Sequence, residues 1–293
     1  MKPEEIRSRI RRLRLRSRKL IHTFGEGTFR TIFHGRGIEF AALREYVPGD
    51  DIRQIEWNTT ARRGTPFVKT FMEERDLSIL LLLDLSSSME RKWESLCALT
   101  ALISYMARAN DDRLGAIGFS AGVDFFVPPS RHPTQPERIL HLLLQQPGTR
   151  RKTSISRALL FLHRILKKHS ILFLISDFLD TQFEKALYTV CHRHELVGVD
   201  LHHPIELKPL PGAVMDCFDP ESGKRILLDG FDRKTRTQYT SFYENQRKQL
   251  TRFFANSRSD LLTLKSGADA ELRLIQFLQM RQNTRVALQL AIP

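Results

Sequence analysis

A carboxylate and two hydroxyls follow the most apolar run of the chain. Asp84 ends a stretch of leucines that begins at Leu77, and Ser86 and Ser88 come next at alternate positions. Oxygen ligands of this kind suit a hard cation. Aspartate and serine are also ordinary residues of turns and helix N-caps, so this motif by itself has a structural explanation too.

Two other segments carry oxygen atoms at comparable places. Thr153 opens an amphipathic helical pattern, and Asp177 ends a second apolar run over 170–176. In an open parallel sheet, ligands bind at the carboxyl ends of strands, especially where the strand order reverses. We therefore expect the three segments to meet at one edge of a sheet.

The elements that must position these residues alternate along the chain. Continuous apolar runs predict buried strands, and periodic apolar positions predict helices. Strands are expected over 77–83, 114–119, 170–176, 195–201 and 260–264. Helices are expected over 96–106, 136–145, 153–168, 183–192, 233–254 and 268–280. This order predicts an α/β protein with a doubly wound, mostly parallel sheet covered on both faces.

Composition divides the chain into three predicted parts. Residues 1–27 carry many arginines with apolar residues every three or four positions, which predicts a basic amphipathic helix. Residues 28–75 are interrupted by glycine and proline and predict a β-rich extension, with a turn at 48–51. Residues 76–293 form the α/β domain with a C-terminal elaboration, including a hairpin over 215–228.

The net charge of +13 attracts anionic partners, which include nucleic acid, a membrane surface and an acidic protein face. Much of the excess lies in residues 1–19, where no aromatic side chain interleaves with the arginines. The base stacking expected of a single-strand binder is therefore missing. We expect this helix to pack on its own protein or on a partner, and a basic nucleic-acid-binding protein stays an alternative.

Several enzyme classes lack their signatures. No Gly-x-Ser-x-Gly surrounds the candidate serines, and no Gly-x-x-x-x-Gly-Lys-Ser/Thr loop is present, so we expect neither a serine hydrolase nor nucleotide hydrolysis. A metal-dependent phosphoesterase stays an alternative, although Ser86 stands where such enzymes usually place a second carboxylate. The four histidines that lie close in sequence lack zinc-ligand spacing. They are His192, His194, His202 and His203. We do not expect an enzyme.

Three cysteines, Cys97, Cys191 and Cys217, show no CxxC spacing. This sparse set favours reduced thiols over a disulfide framework. The first twenty residues lack the apolar block of a signal peptide, and no apolar run is long enough to cross a bilayer. We therefore expect a cytoplasmic protein.

The chemistry-bearing residues resemble the metal-ion-dependent adhesion site of the von Willebrand factor type A fold. The resemblance rests on Asp-x-Ser-x-Ser, on Thr153-Ser-Ile-Ser-Arg-Ala-Leu and on Ile175-Ser-Asp-Phe. It implies one ligand set for Mg²⁺ or Mn²⁺: Asp84, Ser86, Ser88, Thr153 and Asp177. Thr149 is the alternative threonine. An acidic residue of a protein partner would fill an open position on the metal.

A second resemblance lies upstream, in Gly35-Arg-Gly-Ile-Glu-Phe, Leu43-Arg-Glu-Tyr-Val-Pro-Gly-Asp-Asp-Ile-Arg and Ile55-Glu-Trp-Asn. These segments are similar to the bacterial domain-of-unknown-function family numbered fifty-eight, in the version without membrane spans. Glu56 stands where aspartate is usual in that family. Such proteins are commonly encoded beside AAA+ ATPases of the MoxR type. The resemblance therefore implies a chaperone-like protein-interaction module that acts with such an ATPase.

The charged positions of this upstream segment, with its tryptophan, have two interpretations. They form either a docking surface or an internal, salt-bridged scaffold for the extension, and the burial of the tryptophan distinguishes the two. The positions are Arg36, Glu39, Arg44, Glu45, Asp50, Asp51, Arg53 and Trp57.

Overall fold

The structure is a computed structural model that describes residues 2–24, 38–52, 55–73, 78–146, 152–180, 182–207, 212–218, 225–267 and 269–290. The chain divides into two compact units. The larger unit combines Met1–Ile32 with Ser78–Pro293, and the smaller unit is Phe33–Leu77. The N-terminal basic segment therefore groups with the α/β part of the chain.

The order of elements follows the predicted alternation. The helices are α1 (Pro3–Phe24), α2 (Trp57–Arg63), α3 (Trp93–Ala109), α4 (Gln135–Leu144), α5 (Ile155–Ile165), α6 (Glu184–Cys191), α7 (Pro204–Leu207), α8 (Arg233–Asn256) and α9 (Ala270–Leu290). A 3₁₀ helix, Ser87–Lys92, precedes α3. The strands are β1 (Ile38–Glu45), β2 (Phe67–Glu73), β3 (Ser78–Asp84), β4 (Arg113–Phe119), β5 (Val123–Ser130), β6 (Ile171–Ser176), β7 (Glu195–His202), β8 (Val214–Phe218), β9 (Arg225–Asp229) and β10 (Asp260–Lys265).

A six-stranded sheet forms the centre of the larger unit, in the order β10, β7, β6, β3, β4, β5. All neighbours are parallel except β5, which pairs antiparallel with β4. The predicted class, an α/β protein with a mostly parallel sheet flanked by helices, is confirmed. The chain runs from β3 outward to β4 and β5 and then returns to β6 on the other side of β3. The strand order therefore reverses at β3, where ligand sites of open α/β sheets lie.

The apolar run of β3 is buried on both faces of the sheet. Leu80 and Leu82 belong to a buried cluster with residues of α5, α6 and α8, including Leu159 and Phe254. The alternate residues of β3 point the other way, where α3 contacts β3 and β4. Two covered faces explain why this strand reads as a continuous apolar run.

Strand β5 was not expected from the sequence. It carries Pro128 and Pro129, which have no N–H to donate to a sheet and usually argue against a central strand. As the antiparallel edge strand, β5 accommodates them. The hairpin predicted over 215–228 is confirmed by the antiparallel pairing of β8 and β9.

The smaller unit is an antiparallel pair, β1 and β2, with α2 between the two strands in sequence. The predicted turn is present, and Gly49 adopts a φ of 111° there. The guanidinium of Arg44 lies 2.6 Å from the Asp50 carboxylate across this turn. Helix α2 was not expected, and it ends where Gly64 adopts a left-handed φ of 73°.

Helix α1 packs against α3 and α4. Its inward face buries Ile6, Ser17 and Ile21. The predicted basic helix is thus present, and its apolar face lies on the protein. Among the helices that the structure describes, none combines the length and apolar character needed to span a bilayer.

Candidate metal site at the carboxyl edge of the sheet

Asp84, the last residue of β3, is completely buried. One carboxylate oxygen accepts a hydrogen bond from the Ser86 N–H at 2.9 Å, and the other accepts from the Ser176 hydroxyl at 2.6 Å. Burial, with a smaller contribution from the negative charge of Asp177, raises the pKa of Asp84 to about 7. Within the described part of the chain, no basic side chain forms an ion pair with this carboxylate.

The two serines of the motif lie together. The hydroxyl oxygens of Ser86 and Ser88 are 3.0 Å apart, and Ser86 is buried while Ser88 is half-buried. The 3₁₀ helix begins directly after Ser86 and turns the chain so that the two hydroxyls lie side by side. Leu85 donates its N–H to the Phe119 carbonyl at 2.7 Å, which fixes this turn to the end of β4.

The threonine segment reaches the same edge. Thr153 is half-buried and precedes α5. Next to it, the Ser154 N–H donates to the carbonyl of Ser120, the residue after β4, at 2.8 Å. The Ile155 N–H donates to the Asp180 carboxylate, beyond β6, at 2.7 Å. These bonds join the segment to the ends of the two strands that flank β3. Thr149, the alternative, lies outside the described residues.

Asp177 is buried at the end of β6 and has a cation of its own. Its carboxylate lies 2.8 Å from the ammonium of Lys92, which is fully buried and also lies 3.0 Å from the Glu206 carboxylate. Burial lowers the pKa of Lys92, but Asp177 and Glu206 outweigh this effect and the net pKa rises. Lys92 is therefore a charged ammonium held between two carboxylates.

Helix α8 covers this ion cluster. The Tyr239 hydroxyl donates to the Glu206 carbonyl at 3.1 Å. Burial, followed by the hydrogen bond with Tyr239, raises the pKa of Tyr243, and the charges of Glu206 and Asp177 raise it further. The C-terminal elaboration therefore places two tyrosine side chains of α8 beside the ion cluster.

The donor set fits a divalent cation by charge and by chemistry. Asp84, Asp177 and Glu206 supply three negative charges and Lys92 one positive charge, which leaves −2 when all are ionised. The hydroxyl and carboxylate atoms of this edge are hard oxygens. Over the described ranges, no three His, Cys, Asp or Glu side chains converge on one point. A metal here would therefore depend on the serine and threonine hydroxyls as well.

Sequence reasoning missed four residues of this edge. Ser176 and Asp180 flank Asp177, so their proximity to it was an available signal. The sequence contains no comparable signal for Lys92 and Glu206. A lysine after Ser-Ser-Ser-Met-Glu-Arg resembles the solvent-facing start of a helix.

A Gly-x-Ser-x-Gly sequence does occur at Gly118-Phe-Ser-Ala-Gly122, away from the candidate serines. In serine hydrolases this motif sits on a strand-to-helix turn that exposes the serine. Here the antiparallel strand β5 follows, and Ser120 is buried. The local structure is a strand-to-strand turn, so the motif does not form a nucleophile elbow.

The neighbouring histidines take separate positions. His202 lies 2.6 Å from the Asp200 carboxylate, both residues being buried in β7. His194 is buried before β7, at the opposite end of that strand.

In the smaller unit, Trp57 is 66% exposed, so it is not part of a core. The exposure of Trp57 argues against the internal scaffold, the interpretation that the sequence favoured, and for the docking surface, although Arg44 and Asp50 do pair. Arg36 and Arg53 lie outside the described residues, and the side chain of Glu39 does as well.

Comparison with known proteins gives one family match. Residues 42–249 match the family described as "Protein of unknown function DUF58". Uncharacterised proteins of Mycobacterium tuberculosis (strain H37Rv) and Mycobacterium bovis are each 26% identical over 227 residues, covering 73% of this chain and 70% of theirs.

Two solved structures are similar at a lower level. The conserved hypothetical protein BatB from Bacteroides thetaiotaomicron has 13% identity and a TM-score of 0.45, covering 71% of this chain and 99% of that chain. An aerotolerance-related membrane protein from Bacteroides fragilis has 12% identity and a TM-score of 0.44, with the same coverage.

Proposed function

The chain belongs to the DUF58 family, and from that premise we propose that it is a metal-dependent protein-interaction module of von Willebrand factor type A type. The metal, Mg²⁺ or Mn²⁺, would be held at the carboxyl edge of β3 by Asp84, Ser86, Ser88, Thr153 and Asp177. When bound, it would supply a positive charge that bridges the protein to an acidic residue of a partner.

The burial of Asp84 is the observation that carries this proposal. A carboxylate removed from water without a paired cation destabilises the folded state, and proteins keep such groups mainly where function requires them. The edge lies at the reversal of strand order, and both oxygens of Asp84 are held by hydrogen bonds. The side chain is thus pre-oriented for a ligand that its own neighbours do not provide.

The remaining residues would have separate tasks. Ser86 and Ser88 would offer two hydroxyl oxygens from a rigid turn, and Thr153 one from the start of α5. Asp177 would contribute a single carboxylate oxygen, because Lys92 already holds the other one.

The partner that we propose is a MoxR-type AAA+ ATPase, in a chaperone-like role on client proteins. This chain carries no phosphate-binding loop of its own, so nucleotide hydrolysis would come from the separate ATPase chain.

Substitution of Asp84→Asn tests the metal site with little disturbance of the fold. The amide oxygen still accepts from the Ser86 N–H, and the amide nitrogen can donate to the Ser176 hydroxyl. We expect titration calorimetry with MgCl₂ and MnCl₂ to show binding by the native chain and a loss of at least about tenfold in affinity for the variant. The variant should unfold at the same temperature as the native chain or higher.

Asp112→Asn is the matched control. Asp112 is also buried, and burial raises its pKa to about 7, but it precedes β4 at the opposite edge of the sheet. Metal binding should survive this change. Absence of heat with the native chain, or equal affinity in native and Asp84→Asn protein, would contradict the proposed site.

The partner is tested with a purified MoxR-type AAA+ ATPase. Its affinity, measured by surface plasmon resonance, should fall when EDTA removes the metal and when Asp84 is changed to asparagine. Binding that is indifferent to both would leave the metal without a role in the interaction.

A further inference from the structure

Helix α1 carries two sets of basic residues that differ in their surroundings. The inward set forms ion pairs with the body of the protein: Arg9 with Glu94, Arg14 with Glu137, and Arg16 with the buried Glu271. These pairs, together with the buried Ile6 and Ile21, fix the helix on α3, α4 and α9. Part of the positive charge of this segment is therefore explained by the ion pairs that hold the helix on the fold.

The outward set has no such role. It consists of Arg7, Arg11, Arg18 and Lys19, all exposed. Over the parts of the chain that the structure describes, none of the four forms an ion pair. Like charges at i and i+4, such as Arg7 and Arg11, destabilise a helix. A row of unpaired cations therefore opposes folding slightly, and it leaves a strip of positive charge available to an anionic ligand.

Leu15 lies within this outward row and is 59% exposed. Its position on the helix falls between those of Arg11 and Lys19, one turn from each. From Arg7 to Arg18 the helix rises about 16 Å, so these cations form a strip along about three turns of the helix surface. The two acids of the helix, Glu4 and Glu5, lie in its first turn, before the row begins.

We propose that this strip binds the surface of a bilayer that contains anionic phospholipids, with α1 lying parallel to the surface. A cluster of Lys and Arg residues on an amphipathic helix is typical of binding to anionic lipid headgroups. The apolar face of α1 is already covered by the protein, so contact is electrostatic with Leu15 as a shallow anchor.

Nucleic acid is the competing ligand for the same charge. In that case Leu15 would lie against phosphates and lose its hydration without an apolar environment in return. The strip also has no aromatic side chain on which bases could stack. Both features favour lipid.

Co-sedimentation with vesicles tests the proposal on the full chain. One vesicle preparation is pure phosphatidylcholine, and the other contains phosphatidylglycerol at about one third of the lipid. We expect binding to the second preparation only, and binding that weakens with salt. Arg11→Gln with Arg18→Gln should weaken it roughly thirtyfold, since each basic residue near the surface contributes about a fivefold factor.

The matched control is Lys248→Gln with Arg252→Gln, two exposed cations of α8. It changes the net charge equally and should leave binding within about twofold. Leu15→Gln should weaken vesicle binding several-fold while leaving binding to duplex DNA unchanged.

Equal loss in the two double variants would mean that net charge alone is responsible and would overturn the proposal. Tighter binding to a DNA duplex than to anionic vesicles, with no effect of Leu15→Gln on either, would assign the strip to nucleic acid instead. Circular dichroism of each variant verifies that the helix content is unchanged.

Discussion

Lys92 is fully buried between Asp177 and Glu206, at distances of 2.8 and 3.0 Å. A buried ammonium is tolerated only when carboxylates compensate for its lost hydration. The two partners compensate it here, while among the described residues Asp84 forms no ion pair with a basic side chain. The positive charge of the carboxyl edge therefore lies beside Asp177 and Glu206.

We predict that Lys92→Met lowers the free energy of unfolding by about 3 kcal/mol, because two carboxylates lose their shared cation while remaining in place. The partial exposure of Glu206 limits the loss. Denaturant unfolding measures it. MgCl₂ should stabilise this variant more than the native chain, since the local negative charge has grown.

Lys185→Met on the exposed face of α6 provides the control and should change stability by less than about 0.5 kcal/mol. Adding Asp177→Asn and Glu206→Gln to Lys92→Met should recover most of the loss. If Lys92→Met is as stable as the control, the ion cluster contributes nothing to folding.

At the scale of residues, the sequence predicts the site residues that adjoin the ends of strands. It misses the residues that other parts of the chain bring to the site. Asp84 and Asp177 follow apolar runs, so their edge could be inferred. Glu206 meets Lys92 across more than one hundred residues of chain, and no periodicity encodes such a contact. Likewise, a nucleophile elbow at Ser120 could be excluded only from the structure, which shows that a strand and not a helix follows this serine.

At the scale of elements, the packing of α8 against β7 depends on one glycine of that strand, Gly198. A Cβ added to Gly198 would lie 2.5 Å from two ring atoms of Phe254. That ring is 1% exposed and packs edge-on against Phe178, so it has no space to retreat. The close approach of α8 to the sheet therefore requires glycine at this point.

We predict that Gly198→Ala lowers the free energy of unfolding by about 1–3 kcal/mol, because overpacking displaces the ring or the helix. Chemical denaturation followed by circular dichroism measures this. Gly122→Ala is the comparison, since nothing lies within 4 Å of the added Cβ there. Equal stability of the two variants would argue against the observed close packing of α8 on the sheet.

The elements themselves were largely predictable, and the exceptions have physical causes. The sequence predicts β3, β4, β6, β7 and β10 through their apolar runs. It misses β5, because its prolines are compatible only with an edge strand, and edge position is a property of the whole sheet. It also misses α2, a short helix in a segment dominated by turn residues.

The pH dependence of folding belongs to the whole molecule, because several buried groups oppose one another. His194 is 3% exposed, and neither ring nitrogen has a partner among the described residues. Burial, aided by the charges of His169, Arg193 and His163, lowers its pKa to about 4. Asp112 acts in the opposite direction, since burial raises its pKa to about 7.

For His194 the unfolded chain binds a proton that the folded chain rejects. Its contribution to stability is therefore complete above pH 6.5 and is lost as the pH falls from there toward 4, up to on the order of 3 kcal/mol. We predict that His194→Gln flattens the stability profile in this window. The difference between native and variant unfolding free energies at pH 7 and pH 4.5 isolates the effect, and an unchanged difference would contradict it.

The grouping of α1 with residues far along the chain has a consequence for biosynthesis. The helix leaves the ribosome before α3 and α4, against which it packs and which follow roughly a hundred residues later. At typical elongation rates of about 5–20 residues per second, the amphipathic segment waits on the order of ten seconds for its docking site. During that interval the nascent chain displays both its apolar stripe and its arginines to any early-acting holdase or anionic surface.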